Sequence, residues 1–186
     1  VMLFSDAGKA VRFDENDVRP MGRQARGVRG MNLDEGQAVI AMLVAPAESA
    51  EVDPAEGEAM PVGSVLTATE NGYGKRTPIS EYTRHGRGTK GMIAIQTSER
   101  NGRVVAAALV SPEDEIMLIT TGGVLIRTRV AEIREMGRAT QGVTLINVDE
   151  GTKLSGLQRI VESDDDSGSA DDGGVEHRPW GRGAAV

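Results

Sequence analysis

The sequence predicts an all-β, propeller-like fold built from three repeated units. Two sets of glycines recur in register, Gly8, Gly72 and Gly123, and then Gly30, Gly91 and Gly142. An apolar stretch precedes each glycine of the first set, and an arginine follows it four residues later. Four short strands in a unit of roughly 45 to 50 residues are typical of a propeller blade. No segment shows sustained helical periodicity with caps, so a helical repeat is not favoured.

Each unit is predicted to open with a β-hairpin. The first strands are apolar and cover residues 1–4, 65–68 and 116–119. Tight turns need residues that tolerate positive φ, and glycine stands at each turn position. The second glycine of each unit leads a third apolar strand, at residues 31–33, 92–95 and 143–146. A further glycine turn then precedes a last strand, at residues 38–44, 104–110 and 154–161.

Charge divides the chain into units and connecting segments. Residues 45–64 hold five acids and no base, and residues 163–186 hold six acids and two arginines. Both segments have the composition of chains that bury little apolar surface. We therefore interpret 1–44, 65–110 and 111–162 as the three blade repeats, 45–64 as an acidic insertion or linker, and 163–186 as a disordered acidic tail.

The overall composition excludes several classes of protein. The 186 residues contain no cysteine, which leaves no disulfide framework and no thiolate metal site. No apolar run approaches the ~18 residues of a spanning helix, and we expect an intracellular protein without membrane contact. Aromatic residues make up only 3% of the chain, which argues against a platform for stacking bases. His85 and His177 are far apart in sequence, so we expect no metal site.

The formal net charge of -7 conceals a basic middle. Residues 65–110 hold seven bases against three acids. Glycine loops in the first two units carry neighbouring cations at Arg26, Arg29, Arg87 and Lys90. Glycine allows the backbone to approach a phosphate, and a cation beside it releases counterions. The loops therefore predict phosphate contacts, although simple blade-connecting turns with solvated charges would give the same pattern.

A second set of basic residues lies on or near the hairpins. Arg12, Arg76 and Arg127 recur four residues after the hairpin glycine. They suit phosphate contact, or equally a pairing with a carboxylate such as Glu15, Glu81 or Glu132 that locks neighbouring strands. Lys75 and Arg129 are less regular in position, and we expect them to be exposed charges on the rim.

Three segments carry a family resemblance. Residues 1–5, 71–77 and 127–133, in that order and spacing, resemble the C-terminal domain of the A subunit of DNA gyrase, a six-bladed β-pinwheel. The similar domain of the A subunit of topoisomerase IV is the near alternative. The diagnostic box of the gyrase family, Gln-Arg-Arg-Gly-Gly-Lys-Gly, is absent, and weaker echoes of it lie at residues 24–30, 85–91 and 138–142. Three units of six indicate the C-terminal half of the pinwheel.

The resemblance implies a function. Domains of this family bind and wrap duplex DNA without sequence preference, and so support ATP-dependent negative supercoiling by a type II topoisomerase. The implied partners are DNA, the remainder of the gyrase A protein, and the gyrase B protein in an A2B2 complex in the bacterial cytoplasm, associated with the nucleoid. ATP and Mg²⁺ belong to the parent enzyme, and we expect no catalytic residue and no cofactor in this segment.

These observations define the candidate site and leave one alternative. The predicted DNA-binding residues are Arg26, Arg29, Arg87, Lys90, Lys75, Arg76, Arg84, Arg129 and Arg138. A protein-interaction propeller whose basic loops hold an acidic partner remains the competing hypothesis. Three blades cannot close a disc of six, so we expect either open edges at residues 1–4 and near residues 154–161, or a chain that continues beyond this sequence.

Overall fold

A computed structural model describes residues 1–45 and 63–160. This part of the chain is all-β, as predicted, with eleven strands and three single-turn 3₁₀ helices at Glu15–Asp17, Ile79–Glu81 and Val130–Glu132. The acidic insertion and the acidic tail of the sequence analysis fall largely or wholly outside the described residues. The strands are β1 (Met2–Ser5), β2 (Lys9–Arg12), β3 (Val39–Leu43), β4 (Ser64–Thr69), β5 (Tyr73–Pro78), β6 (Met92–Ile93), β7 (Val104–Val110), β8 (Glu115–Thr120), β9 (Leu125–Arg129), β10 (Val143–Thr144) and β11 (Leu154–Ile160).

Each unit opens with an antiparallel hairpin, as the sequence predicts. The hairpins pair β1 with β2, β4 with β5, and β8 with β9. The turn glycines Gly8, Gly72 and Gly123 have φ values of 75°, 83° and 80°. Backbone in this left-handed region strongly favours glycine, which explains why the residue recurs at each turn.

The second and third units each donate a strand to the sheet of the unit before, a feature not predicted from the sequence. The sheets have the orders β3-β1-β2-β6, β10-β5-β4-β7 and β11-β8-β9. The short third strand of the second unit, β6, therefore completes the sheet of the first unit, and β10 of the third unit completes the sheet of the second. A Cβ atom on Gly91 or Gly142 would collide with the carbonyl of Ala10 or Gly74 on the receiving hairpin. Glycine at these positions thus permits the exchange.

The core lies within and between the sheets. The largest cluster contains Leu66 and Ala68 of the second unit with Ile116 and Leu118 of the third. Each fully buried aliphatic side chain contributes about 1.5–3 kcal/mol. Asn101, also fully buried, donates from Nδ2 to the carbonyls of Gln96 at 2.8 Å and Gln141 at 3.0 Å. Apolar burial and a buried amide both join these two units.

Two strand edges differ from expectation. Residues 1–4 do not form an edge, because β1 pairs with β2 on one side and β3 on the other. β11 pairs with β8 alone and is an edge of its sheet, as expected. β9 is the other edge of that three-stranded sheet, with Leu125 61% exposed. It lacks the added strand that covers β2 and β5, since no described unit follows the third.

Candidate nucleic-acid interface

Three outer loops carry most of the exposed basic residues. We define them as residues 13–30, 79–91 and 130–142, each of which begins with or near a 3₁₀ turn after the second strand of its unit. They hold nine arginines and lysines against six acids. The first two loops touch along a β-bridge between Met31 and Thr89, where the amide of Gly88 donates to the carbonyl of Gly30 at 2.6 Å. The loops thus form neighbouring parts of one surface with a positive balance.

The hairpin side of the molecule has the opposite charge balance. Its turns, residues 5–9, 35–37, 69–72, 96–103 and 149–153, hold six acids against four bases. Asp6 pairs with Arg103 of the following unit at 3.0 Å, and Glu70 pairs with Lys153 of the unit after it. A groove of about 630 Å³ runs past both pairs. A polyanion is attracted to the outer loops and not to this side.

Arg26 and Arg29 are predicted site residues with exposed, unpaired side chains within the described residues. Neither side chain has a hydrogen-bond or ion-pair partner there. Three arginines that were not predicted as site residues, Arg19, Arg23 and Arg134, also have exposed and unpaired side chains in the described part of the chain. A signal existed for two of them, because Arg19 and Arg134 lie eleven residues after Gly8 and Gly123.

Three further predicted residues form exposed ion pairs. Lys90 contacts Asp34 at 2.7 Å, Arg84 contacts Asp14 at 3.1 Å, and Arg129 lies 3.7 Å from Glu115. Exposed pairs of this kind contribute roughly 0–1 kcal/mol, because water screens the charges. A phosphate can therefore replace the carboxylate with little loss.

The burial of Lys75 contradicts the sequence prediction for this residue. We predicted an exposed rim charge, and the side chain is fully buried. Its Nζ donates to the carbonyls of Gly137 and Arg138 in the third unit, the latter at 2.5 Å. Burial lowers the pKa of Lys75 to about 8. An ammonium enclosed in this way joins two units and does not face a ligand.

Two of the three recurring arginines, Arg12 and Arg76, also hold neighbouring units together. Arg12 is 5% exposed, and its Nη1 donates to the carbonyl of Tyr82 at 3.0 Å. Arg76 donates from Nε to the carbonyl of Ile133 at 2.7 Å, which is the corresponding contact one unit later. Arg127 pairs with Glu115 of its own sheet. Of the two roles left open for this position, the structure supports locking, and main-chain carbonyls of the following unit are the acceptors for Arg12 and Arg76.

Arg87 and Arg138 both hold neighbouring units together and remain partly exposed to a ligand. Arg87 donates from Nε to the carbonyl of Asp17 at 2.9 Å and from Nη1 to that of Arg29 at 3.1 Å. Arg138 donates from Nη1 to the carbonyl of Ile93 at 2.9 Å. Both side chains are half-buried and hold one outer loop against the unit before it. They fix the relative position of the loops and leave part of each guanidinium at the surface.

Metal-binding clusters and membrane-spanning helices are absent from the described residues. They contain no group of three or more histidine, cysteine, aspartate or glutamate side chains placed to hold a metal ion. No helix among them is long and apolar enough to cross a membrane. Tyr73 and Tyr82 lie within repeat elements, and Tyr82 is fully buried.

Together the fold and the outer loops define a propeller-like repeat protein with a basic rim. The model of the family described as DNA gyrase C-terminal domain, beta-propeller, matches residues 1–46, 63–111 and 114–160. The chain belongs to this family, which confirms the resemblance drawn from the sequence.

Individual relatives support the same family assignment. The chain is 51% identical over 162 residues to the A subunit of DNA gyrase from Pseudomonas aeruginosa, covering 87% of this chain and 16% of the relative. It is 46% identical over 185 residues to the A subunit of DNA gyrase from Escherichia coli strain K12, covering 96% and 20%. The chain therefore spans about a fifth or less of these relatives.

Two solved structures share the architecture. A DNA gyrase A C-terminal domain superposes with a TM-score of 0.69 at 26% identity, covering 86% of this chain and 50% of that one. The C-terminal domain of DNA topoisomerase IV gives a TM-score of 0.72 at 24% identity, covering 86% and 46%. This second likeness shows the fold alone. The described units thus correspond to about half of such a domain.

Proposed function

We propose that this chain binds duplex DNA through its outer loops, without sequence preference, and bends the DNA around the rim. The observation that carries the proposal is the contact between successive outer loops that present unpaired cations, Arg26 and Arg29 above all. Arginine contacts to phosphate position DNA and read no bases. Contacts repeated from unit to unit favour a curved path, which suits wrapping.

The family extends the proposal to a larger enzyme. We infer that the chain is the C-terminal half of the pinwheel of a gyrase A protein, acting with the rest of that protein and with gyrase B in a bacterial A2B2 complex. The wrapped segment would then support ATP- and Mg²⁺-dependent negative supercoiling near the nucleoid. Topoisomerase IV is the alternative parent enzyme, and the gyrase relatives at 51% and 46% identity favour gyrase. Catalysis would reside outside this segment.

Salt dependence tests the DNA proposal directly. Affinity for a random-sequence duplex should fall steeply between about 50 and 200 mM salt, since each neutralised phosphate adds ~0.9 to the log–log slope. A second, unrelated duplex should bind with the same affinity. Flat affinity, or no binding at either salt concentration, would contradict DNA binding and favour the protein-interaction alternative.

Charge removal tests which residues bind. The double change Arg26→Gln and Arg29→Gln should lower the salt slope by about 2 and the affinity by roughly tenfold, because both cations are exposed and, within the described residues, unpaired. Arg100→Gln with Arg159→Gln is the control, since these exposed arginines lie outside the outer loops. It also removes the contacts of Arg100 with the Tyr73 ring and of Arg159 with Asp114, so urea unfolding must show that the control remains folded. Equal losses in the two variants, measured by fluorescence anisotropy, would show that the outer loops are not the interface.

A further inference from the structure

The third unit leaves open a strand edge that is covered in the first two units. Val124, Leu125 and Ile126, at the start of β9, are 47%, 61% and 37% exposed. Among the strands of the described residues, β9 pairs with β8 alone. An open edge presents main-chain donors and acceptors that an added strand can use. The two covered edges show how such a strand enters.

The covered edges, β2 and β5, receive their strands in the same register. Ala10 lies opposite Met92 of β6, and Gly74 lies opposite Val143 of β10. Ala10 and Gly74 occupy the same position in their units, two residues after the turn glycine. The entering strand therefore meets equivalent residues of each hairpin.

Main-chain hydrogen bonds at the hairpin turn hold the entering segment. In each covered edge the carbonyl of the turn glycine accepts from two successive amides of that segment. The donors are Ala94 at 2.8 Å and Ile95 at 3.3 Å to Gly8, and Leu145 at 2.8 Å and Ile146 at 3.2 Å to Gly72. Gly123 stands at the same turn position beside β9, with a similar φ of 80°. The backbone of the third unit can therefore accept a strand in the same way.

The size of one side chain distinguishes the three edges. Ala10, Gly74 and Leu125 each lie two residues after the turn glycine. They pair in equivalent register with the first strand of their hairpins, opposite Phe4, Ala68 and Ile119. Residues in equivalent register face the same side of their sheets. Leu125 therefore occupies the place that a small residue holds in the other two units.

The covered edges show why a small residue stands there. A Cβ on Gly74 would lie 2.4 Å from Cδ1 of Leu145 on the entering segment, and 2.4 Å from the carbonyl oxygen of Thr67 in its own hairpin. At the first junction Ala10 and Ala94, the counterpart of Leu145, are both 1% exposed and share one core cluster. The contact thus holds one leucine or two alanines.

Leu125 changes what the entering strand must supply. A leucine already stands on this edge, so a second large side chain at the position of Ala94 and Leu145 would overpack the contact. Glycine or alanine at that position leaves room. The third strand of the first unit carries Leu33 there, three residues after Gly30. A second copy of this chain therefore does not supply a suitable strand.

Two side-chain contacts that fasten a following unit are also changed in the third unit. Thr121 stands where the first two units have a hairpin acid that pairs with a base of the next unit. Ser64 of the second unit donates from Oγ to Glu135 of the third at 3.1 Å. Glu115 stands at the position of Ser64 and pairs with Arg127 of its own sheet. A single strand suits this edge better than a whole further unit.

We propose that the β9 edge is a docking site for one extended segment of a partner protein. The segment has glycine, two strand residues, glycine or alanine, and then an aliphatic residue. This pattern copies residues 91–95 and 142–146, which contain β6 and β10, with the residue beside Leu125 kept small. Main-chain hydrogen bonds supply the affinity, and the size of that residue supplies the selectivity. The site is separate from the DNA proposal and uses no outer-loop residue.

A size swap tests the site. The probes are fluorescent peptides of residues 139–148, which contain β10, in the natural form and with Leu145→Gly. Wild type should bind the glycine peptide about tenfold more tightly than the leucine peptide, because the second leucine overpacks the contact. Leu125→Gly should reverse this preference, since it recreates the pair of Gly74 with Leu145. Fluorescence anisotropy measures all four combinations.

Two further variants keep the test independent of folding defects. Ile126→Gly is the matched control, because the next residue along the strand faces the other side of the sheet and should leave the preference unchanged. Leu125→Ala with a peptide carrying Leu145→Ala reproduces the pair of Ala10 with Ala94. This combination should bind about as tightly as wild type binds the glycine peptide. Circular dichroism confirms that each variant is folded.

Three results would overturn the docking site: equal binding of both peptides by wild type, no binding at millimolar peptide, or a preference that Leu125→Gly leaves in place. Sedimentation tests a second copy as the occupant, and wild type should remain monomeric. Self-association that Leu125→Asp abolishes would assign the edge to a second copy and overturn the proposal. Because Leu125→Gly should not alter DNA affinity, failure of the docking site leaves the DNA proposal standing.

Discussion

Basic residues at the unit junctions and basic residues in the outer loops behave as two different populations. Arg12 and Lys75 are buried at junctions, and with Arg76 they donate to main-chain carbonyls of the next unit. Arg26 and Arg29 are exposed and unpaired within the described residues. The difference teaches that a cation on a hairpin strand can serve the architecture when it faces the next unit, whereas exposed loop cations such as Arg26 and Arg29 remain available to a ligand.

The physical reason lies in what each position offers. A strand exchanged between units brings loop carbonyls against the preceding hairpin, and buried carbonyls require donors. A long cationic side chain reaches them from the hairpin strand, and the contact survives burial because the charge is hydrogen-bonded. At Arg26 and Arg29 the loop is exposed and water satisfies the backbone, so no buried carbonyl there requires a cation as its donor.

Removal of a junction cation should have the largest effect on stability among the variants that test this difference between junction and outer-loop cations. Lys75→Ala should destabilise the fold by about 2–4 kcal/mol, since it leaves a cavity and two buried acceptors without their donor. Arg26→Ala, the matched change in an outer loop, should alter the unfolding free energy by less than about 0.5 kcal/mol. Urea denaturation followed by circular dichroism measures both. Equal costs would remove the distinction between the two populations.

The titration of Lys75 should make the unfolding free energy depend on pH, and this effect should be smaller than that of Lys75→Ala. Its pKa falls from 10.5 to about 8 on burial, so between these values the unfolded chain binds more protons than the folded one. The unfolding free energy of wild type should therefore rise relative to Lys75→Met as pH increases from 8 to about 10, with a slope of at most ~1.4 kcal/mol per pH unit. Parallel curves for the two proteins would mean that the ammonium is not desolvated.

Much of the fold could be predicted from glycine and apolar spacing. Gly8, Gly72 and Gly123 mark hairpin turns because their positive φ is required locally, and each unit repeats the same order of strand stretches and turns around them. The predicted last strand of the second unit, residues 104–110, coincides with β7. Local chemistry determines these features, so sequence reasoning reaches them.

Strand exchange and side-chain burial could not be predicted in the same way. A two-residue strand such as β6 has the same sequence whether it pairs with its own unit or with the previous one, and only the packing of whole units decides. Lysine is ordinarily a surface residue, and the burial of Lys75 depends on carbonyls 62 and 63 residues away in the chain. The loop position of Arg87 follows from the sequence. Its contacts with the carbonyls of Asp17 and Arg29 depend on how the units pack, so the sequence does not predict them.

The smallest effect tests whether an exposed junction cation matters at all. Lys153 of the third unit pairs with Glu70 of the second on the hairpin side, and this hydrogen bond holds the pKa of Glu70 below its usual value of 4.5. Glu70→Gln should therefore cost less than about 1 kcal/mol at pH 7, because the lysine side chain is 55% exposed and screened.

The sign of the pH dependence of this pair is the reverse of that expected for Lys75. The folded-state pKa of Glu70 is lowered, so its contribution is present above pH 4.5 and is lost as the pH falls through the folded-state value. The gap between wild type and Glu70→Gln should close in acid and in high salt, with Glu35→Gln as an exposed control. A gap as large as that of Lys75→Ala, unchanged by salt, would show that solvent exposure does not separate strong junction contacts from weak ones.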